Sequence, residues 1–186
     1  MRFASMRNLD ISNGEGVGVS LFVQGCDRHC FNCFNPDTWD FNGGKEWTEE
    51  TKNKFIKLID RPYINRISVL GGEPLAEQNL DEVLSLIKEI RISFPEKTIW
   101  LYTGFCWNDI MCSFAGLQAD YVVLDKKDIE AWEKKKKIIS NVDILVDGEY
   151  IDEQKDLSLR FRGSKNQRVI DVKQSLAQNK IVLYCN

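Results

Sequence analysis

Cys26-Asp27-Arg28-His29-Cys30-Phe31-Asn32-Cys33 sets three cysteines at C-x-x-x-C-x-x-C spacing inside one short loop. Thiolates this close can hold three corners of a cubic iron–sulfur cluster and leave the fourth iron without a protein ligand. An open iron can bind a small molecule, which makes such a cluster a catalyst as well as an electron store. A disulfide framework explains the loop poorly. Three cysteines in one loop leave one unpaired, and a chain of 186 residues with an ordinary core needs no staples. The opening Met1-Arg2-Phe3-Ala4-Ser5-Met6-Arg7 has no apolar run to act as a signal peptide. Structural zinc needs a fourth ligand. His29, the only histidine, adjoins Cys30, which is already a proposed ligand. Cys106, Cys112 and Cys185 remain as alternatives, but none belongs to a second C-x-x-C pair.

Composition bounds the rest. With 43% hydrophobic and 28% charged residues, the chain reads as one soluble globular domain. No apolar stretch approaches the ~20 residues of a membrane span, so no membrane association is expected. A net charge of −3 gives no electrostatic case for nucleic acid as a partner. Six reduced cysteines fit a cytoplasmic protein, and a single histidine excludes a second, His-based catalytic site.

Strand-like and helix-like segments alternate outward from the cysteine loop. Residues 17–23 form a β-type run just before it. Thr48 caps a helix carrying Phe55, Ile56 and Ile59 on one face. Ile67-Ser68-Val69-Leu70 is a strand that stops at Gly71-Gly72. Asn79, with Glu82 three residues on, caps a helix with Leu80, Val83, Leu84, Ile87 and Ile90 at helical spacing. Strands follow at residues 98–102, 121–124 and 144–146, with a basic helix from Asp128 to Lys137 before the last of these. Residues 169–172 and 181–184 are the final strand candidates. The alternation argues for an α/β fold with a mostly parallel sheet covered by helices. Six or so β/α units are too few for an eight-fold barrel; a partial, open barrel fits the length. The cysteine loop, Gly71-Gly72-Glu73, Thr103-Gly104 and Asp147-Gly148 each follow the C-terminal end of a candidate strand, the edge where sites collect in such folds.

Gly71-Gly72-Glu73-Pro74-Leu75 is the second informative stretch. Two glycines let backbone pass close to a ligand, and Pro74 fixes the exit. Alone it reads as a strand-to-helix turn; one strand after the cysteine loop, it reads as a surface for an amino acid's amine.

Together, Cys26/Cys30/Cys33 and Gly71-Gly72-Glu73-Pro74 resemble the radical S-adenosylmethionine (SAM) superfamily. The stretch from Asn13-Gly14-Glu15-Gly16 into the loop, Phe34-Asn35-Pro36-Asp37-Thr38-Trp39-Asp40-Phe41 after it, Trp100-Leu101-Tyr102-Thr103-Gly104, Asp143-Ile144-Leu145-Val146-Asp147-Gly148 and Leu159-Arg160-Phe161-Arg162-Gly163-Ser164 through Asp171 narrow the likeness. They resemble the anaerobic ribonucleoside-triphosphate reductase activating family, over most of residues 11–172. The resemblance implies a partial (β/α)6-type radical SAM barrel forming a single domain over residues 1–186, with an insertion at about 119–137. It implies that Cys26, Cys30 and Cys33 hold a 4Fe–4S cluster, and that the fourth iron chelates the amino and carboxylate groups of SAM. One electron from the reduced cluster would split SAM into methionine and a 5′-deoxyadenosyl radical. That radical would take a hydrogen from a glycine on the large catalytic subunit of the reductase. Gly71, Gly72 and Glu73 would line the methionine amine; Asn32, Cys33 and Phe34 would lie near SAM. No catalytic side chain is expected beyond the cluster and SAM, and a donor such as flavodoxin would supply the electron.

Asn32 stands where the wider superfamily often has an aromatic residue against adenine. An activase of another glycyl radical enzyme, such as pyruvate formate-lyase, shares the Thr38-Trp39-Asp40 pattern, but the 159–171 segment argues against it. A small-molecule radical SAM enzyme such as 7-carboxy-7-deazaguanine synthase is a further alternative, and a plain electron carrier normally closes its cluster with four cysteines. His29 reads as a solvent-facing loop residue or a group behind the ligands. Trp39 and Phe41 read equally as core or docking surface. Cys106, Cys112 and Cys185 read as buried free thiols. Trp132-Glu133-Lys134-Lys135-Lys136-Lys137 reads as a solvated helix face. Arg160, Arg162, Lys165 and Arg168 read as a basic cluster with no nearby acid, either a solvated turn or a grip on SAM or the reductase.

Overall fold

A computed structural model describes residues 1–111 and 125–185. Among these residues, eight strands form one mixed sheet in the order β3-β1-β2-β4-β5-β6-β7-β8. They are β1 (Arg2–Asp10), β2 (Gly18–Val23), β3 (Lys45–Glu46), β4 (Arg66–Gly71), β5 (Thr98–Tyr102), β6 (Ile144–Asp147), β7 (Arg168–Asp171) and β8 (Leu183–Cys185). The helices are α1 (Glu49–Ile59), α2 (Leu80–Ser93), α3 (Trp107–Met111), α4 (Lys126–Ser140) and α5 (Val172–Gln178).

The four central strands, β2, β4, β5 and β6, run parallel. Parallel neighbours need a crossover, and the helices between them supply it. The flanks are antiparallel: β1 pairs with β2 and β3 on one side, β7 with β6 and β8 on the other. The expected mostly parallel sheet is therefore parallel only in its middle. On the β1 side the physical reason is a short connection. A turn of seven residues joins β1 to β2, too short for a crossover helix, so the chain must reverse. The expected strand at 121–124 lies outside the described residues.

Period-two alternation sends Val19, Leu21, Val23, Ile67, Val69, Ile99, Leu101 and Leu145 to one face, where all are fully buried. There they meet Phe55 and Ile59 of α1, Leu80, Val83, Leu86, Ile87 and Ile90 of α2, and Ile138 and Ile139 of α4. Each such side chain contributes about 1.5–3 kcal/mol by leaving water. Trp100, Ile144, Val146 and Val169 form a smaller cluster with Tyr102, Phe161 and Cys185. Arg66 and Ser68 are also fully buried. Arg66 pairs with the equally buried Asp10 at 3.1 Å and donates to the Asn13 carbonyl and the Ser68 hydroxyl, pinning the β1–β2 turn onto β4.

Helix starts differ in detail from expectation. Thr48 does cap α1, its hydroxyl accepting from the Thr51 N–H. Asn79 precedes α2, but its side chain does not cap it. The amide instead donates to the Gln24 and Glu73 carbonyls at 3.1 and 3.0 Å, tying the turn after β4 to the chain just beyond β2. The basic helix opens at Lys126, not Asp128; Asp125 and Asp128 form a reciprocal capping box. Among the described residues no helix is long and apolar enough to cross a membrane.

Candidate functional site

Four loops leave the C-terminal ends of the parallel strands and line a cavity of about 610 Å³. From the cysteine loop come Arg28, Cys30, Cys33, Phe34 and Asn35; from the turn after β4, Gly71 and Gly72; from beyond β5, Thr103 and Gly104; from beyond β6, Gly148 and Tyr150. Residues 156–163 close a further side.

The cysteine loop is held from below by backbone. The Gly25 and Cys26 N–H groups donate to the Thr38 and Trp39 carbonyls at 2.8 and 3.0 Å. The Gln24 side chain donates to the Asp37 and Asp40 carbonyls at 3.0 and 2.8 Å. The Gly71-Gly72 turn is joined to the loop directly: Gly72 N–H donates to Val23 O at 2.9 Å and Glu73 N–H to Gly25 O at 2.8 Å. A Cβ on Gly72 would stand 2.4 Å from Gly25 O and 3.0 Å from Thr38 O. Glycine is thus required at 72 because the cysteine loop's own backbone fills the space.

Glu73 is fully buried, and its side chain works beneath the rim and not in the cavity. Oε1 accepts from Leu75 N–H and the Thr103 hydroxyl at 2.9 and 2.7 Å, and Oε2 from Gly104 N–H at 2.8 Å. Burial pushes its carboxyl above the usual range, against these three donors and the nearby Arg28 charge. One carboxylate therefore ties the rim loops after β4 and β5 together. Asp147, also fully buried, does the same after β6, accepting from Trp107 N–H at 2.7 Å and from Arg168 Nε at 3.0 Å.

The three cysteines are free and half-buried. Burial raises the Cys26 thiol, against hydrogen bonds from the Arg28 and His29 N–H groups. Burial likewise raises Cys30 to about 11, against the Tyr150 N–H. Asn35 N–H donates to Cys33 Sγ at 3.4 Å. Each sulfur thus meets backbone donors that favour thiolate, the ligand form. Among the described residues no three His, Cys, Asp or Glu side chains converge as a single ion would require. A cubic cluster asks for something else, since it takes each thiolate at a different iron. Three thiols in one loop, each met by N–H donors and two of them, Cys30 and Cys33, lining the cavity, fit that donor set.

The other expected site residues divide. Phe34 lies at the cavity wall with its ring centroid 5.1 Å from that of Tyr150. Asn32, at φ 53°, turns outward, and its amide donates to Asp152 at 2.8 Å. His29 is exposed and stacks on Trp39 at 4.7 Å. Cys106 and Cys185 are free and half-buried; Cys112 lies outside the described residues. The basic stretch near the end does have acids beside it, contrary to expectation. Arg168 pairs with Asp147, Lys165 with Asp156 at 3.7 Å and Arg160 with Glu15 at 3.9 Å. Folding brings the β6 end and the β1–β2 turn to it, which linear spacing does not show. Sequence reasoning missed Tyr150 and Arg28 as cavity residues. Arg28 sits inside the cysteine motif, but a loop arginine reads by default as solvated.

A family model described as a 4Fe-4S single cluster domain matches residues 12–170. Proteins named anaerobic ribonucleoside-triphosphate reductase-activating protein from Salmonella typhi and Escherichia coli K12 are each 32% identical over 171 residues, 91% of this chain and 97% of theirs. The protein of that name from enterobacteria phage T4 is 32% identical over 91% of this chain and 93% of its own.

Proposed function

The chain belongs to the 4Fe-4S single-cluster family and to the anaerobic ribonucleoside-triphosphate reductase-activating proteins, and from that membership we propose that it is a radical SAM activase that places a glycyl radical on that reductase. The observation that carries the reading is the meeting of Cys30 and Cys33 with the Gly71-Gly72 turn around one cavity. Cys26, Cys30 and Cys33 hold the 4Fe–4S cluster. When bound there, a cluster with an open iron supplies the electron that breaks a carbon–sulfur bond of SAM.

The protein's own residues bind, orient and exclude water. Gly71 and Gly72 offer backbone to the methionine amine, and Glu73 holds that turn to Thr103 and Gly104. Phe34 and Cys33 flank the bound SAM, with Asn32 on the outer side of the same loop. The mixed sheet is an open, partial radical SAM barrel within one domain, and residues 156–163 form one wall of its mouth. Phe34 and Leu157 line the cavity yet are 57% and 83% exposed, apolar surface of the kind a protein partner covers. The reductase's large subunit is that partner, its glycine loop entering from this side and completing the exclusion of water. An electron donor such as flavodoxin reduces the cluster in the cytoplasm.

The test is anaerobic SAM cleavage by the reconstituted, reduced protein, followed as methionine and 5′-deoxyadenosine. Slow cleavage alone, accelerated by the reductase large subunit, is expected. No cleavage under any reductant, or turnover of a free small molecule that ignores the reductase, would overturn the reading.

A further inference from the structure

Cys30-Phe31-Asn32-Cys33 is a tight turn closed by Cys33 N–H on Cys30 O at 3.1 Å. It sets the separation of two of the three sulfurs. Its third residue, Asn32, stands at φ 53°. Left-handed backbone at that place favours glycine or asparagine, so either would build the turn. Asparagine also gives it a side-chain handle. The amide donates to Asp152 Oδ2 at 2.8 Å, across 120 residues of chain. Asp152 Oδ1 accepts from the Tyr150 hydroxyl at 2.6 Å. Tyr150 returns to the same turn: its N–H meets the Cys30 sulfur, and its ring packs on Phe34 with centroids 5.1 Å apart. Each oxygen of one carboxylate thus takes one donor, and both donors belong to residues that hold the Cys30–Cys33 turn. The segment that carries Asp152 is itself anchored. Gly148 O accepts from the Gln167 amide at 2.9 Å and Glu149 O from the Asn166 amide at 2.7 Å, while Ile151 N–H donates to the Ser164 hydroxyl at 3.3 Å. A Cβ on Gly163 would meet the Tyr150 ring at 3.2 Å and the Phe34 ring at 3.1 Å, so this wall is packed tightly behind the clasp.

We propose that Asp152 is a positioning residue of the cluster site: through Asn32 and Tyr150 it fixes the Cys30–Cys33 turn and keeps an N–H on the Cys30 sulfur. The inference rests on the cluster reading above and adds to it a residue far outside the cysteine motif. The carboxylate acts through the two groups it binds. Hydrogen bonds to the sulfurs and exposure to solvent set the reduction potential of an iron–sulfur cluster, and groups behind the ligands tune it. An N–H on a ligand sulfur favours the reduced, more negative state. Loosening the clasp therefore makes the cluster harder to reduce. Two surface hydrogen bonds with only a structural role would leave the potential where it was.

The experiment reconstitutes wild type, Asp152→Asn, Asp152→Ala and Asn32→Gly anaerobically with iron and sulfide. The midpoint potential of each cluster is then measured, without SAM, by an EPR-monitored redox titration. Iron content and circular dichroism establish loading and fold. Both Asp152 variants lose the same charge. Asparagine keeps an acceptor and a donor for the clasp and alanine keeps neither, so the difference between them reads the clasp alone. Asp152→Ala should have the lower potential of the two. Asn32→Gly keeps the turn and the Asp152 charge but not the amide, and should fall below wild type. If Asp152→Ala takes up no cluster, Asn32→Gly against wild type decides alone. Equal potentials for Asp152→Asn and Asp152→Ala, or an Asn32→Gly potential equal to wild type, overturn the assignment while leaving the cluster reading intact. A wild type that takes up no 4Fe–4S cluster removes the premise, and the assignment with it.

Discussion

At the scale of single residues, the proposed chemistry rests on three sulfurs that meet backbone N–H groups. The partners are Arg28 and His29 for Cys26, Tyr150 for Cys30 and Asn35 for Cys33. Replacing any one of Cys26, Cys30 or Cys33 with alanine should abolish a stable cluster, whereas Cys106→Ala and Cys185→Ala should retain it; Mössbauer and EPR spectra after anaerobic reconstitution decide. A full-occupancy cluster in any of the first three variants would contradict the ligand set. Glu73 makes a second residue-scale prediction. A glutamine there keeps one acceptor and turns an N–H toward either Gly104 N–H or the Leu75 and Thr103 donors. Glu73→Gln should therefore cost about 1–3 kcal/mol in denaturant unfolding. A variant as stable as wild type would mean the rim is not tied through this carboxylate. The meeting of Cys30 and Cys33 with Gly71 and Gly72 at one cavity was legible in the sequence, because both motifs follow the ends of candidate strands. The inward turn of Glu73 was not, since side-chain direction is settled only by what packs around it.

At the scale of elements, the turn after β4 and the loop after β2 are one backbone-bonded unit. Their contact leaves no room at residue 72, and the obstructing atoms are carbonyls that cannot swing aside. Gly72→Val should therefore lower both stability and cluster occupancy, measured as thermal midpoint and iron content. A well-folded, fully loaded variant with weakened SAM binding would show instead that only the ligand needs the glycine. The β1–β2 turn carries a pH-dependent anchor. Asp10 is buried, which alone would raise its carboxyl; hydrogen bonds from Asn13, Ser12 and Arg66 outweigh this and bring it to about 2. A depressed carboxylate adds stability above its unfolded pKa and loses it as pH falls through the folded value. Here that is about 2 kcal/mol, lost between about pH 4 and pH 2. Urea midpoints should fall more steeply with acid in wild type than in Asp10→Asn; parallel slopes would contradict the anchor. β4, β5, β6 and α2 were legible from period and punctuation. β1 was not, because Arg2 to Asp10 mixes exposed and buried positions without a clean alternation. Nor was α5, whose seven residues follow β7 with no intervening turn.

For the whole molecule, a mixed sheet gathers four loops on the C-terminal edge of its parallel strands and leaves exposed apolar side chains at the cavity mouth. In the proposed function the partner completes the site: the reductase loop would enter where Phe34 and Leu157 stand open and shut out water before the radical is made. The parallel centre could be read from the alternation of segments, but the antiparallel flanks could not, because pairing direction itself carries no periodic signal. The most direct measurement is EPR of the reduced, cluster-loaded protein mixed anaerobically with SAM and the intact large subunit of the reductase. The account predicts a glycyl-radical doublet on that subunit, absent when SAM is left out or any of Cys26, Cys30 and Cys33 is replaced. An intact reductase that never acquires the doublet while SAM is cleaved beside it would contradict the account.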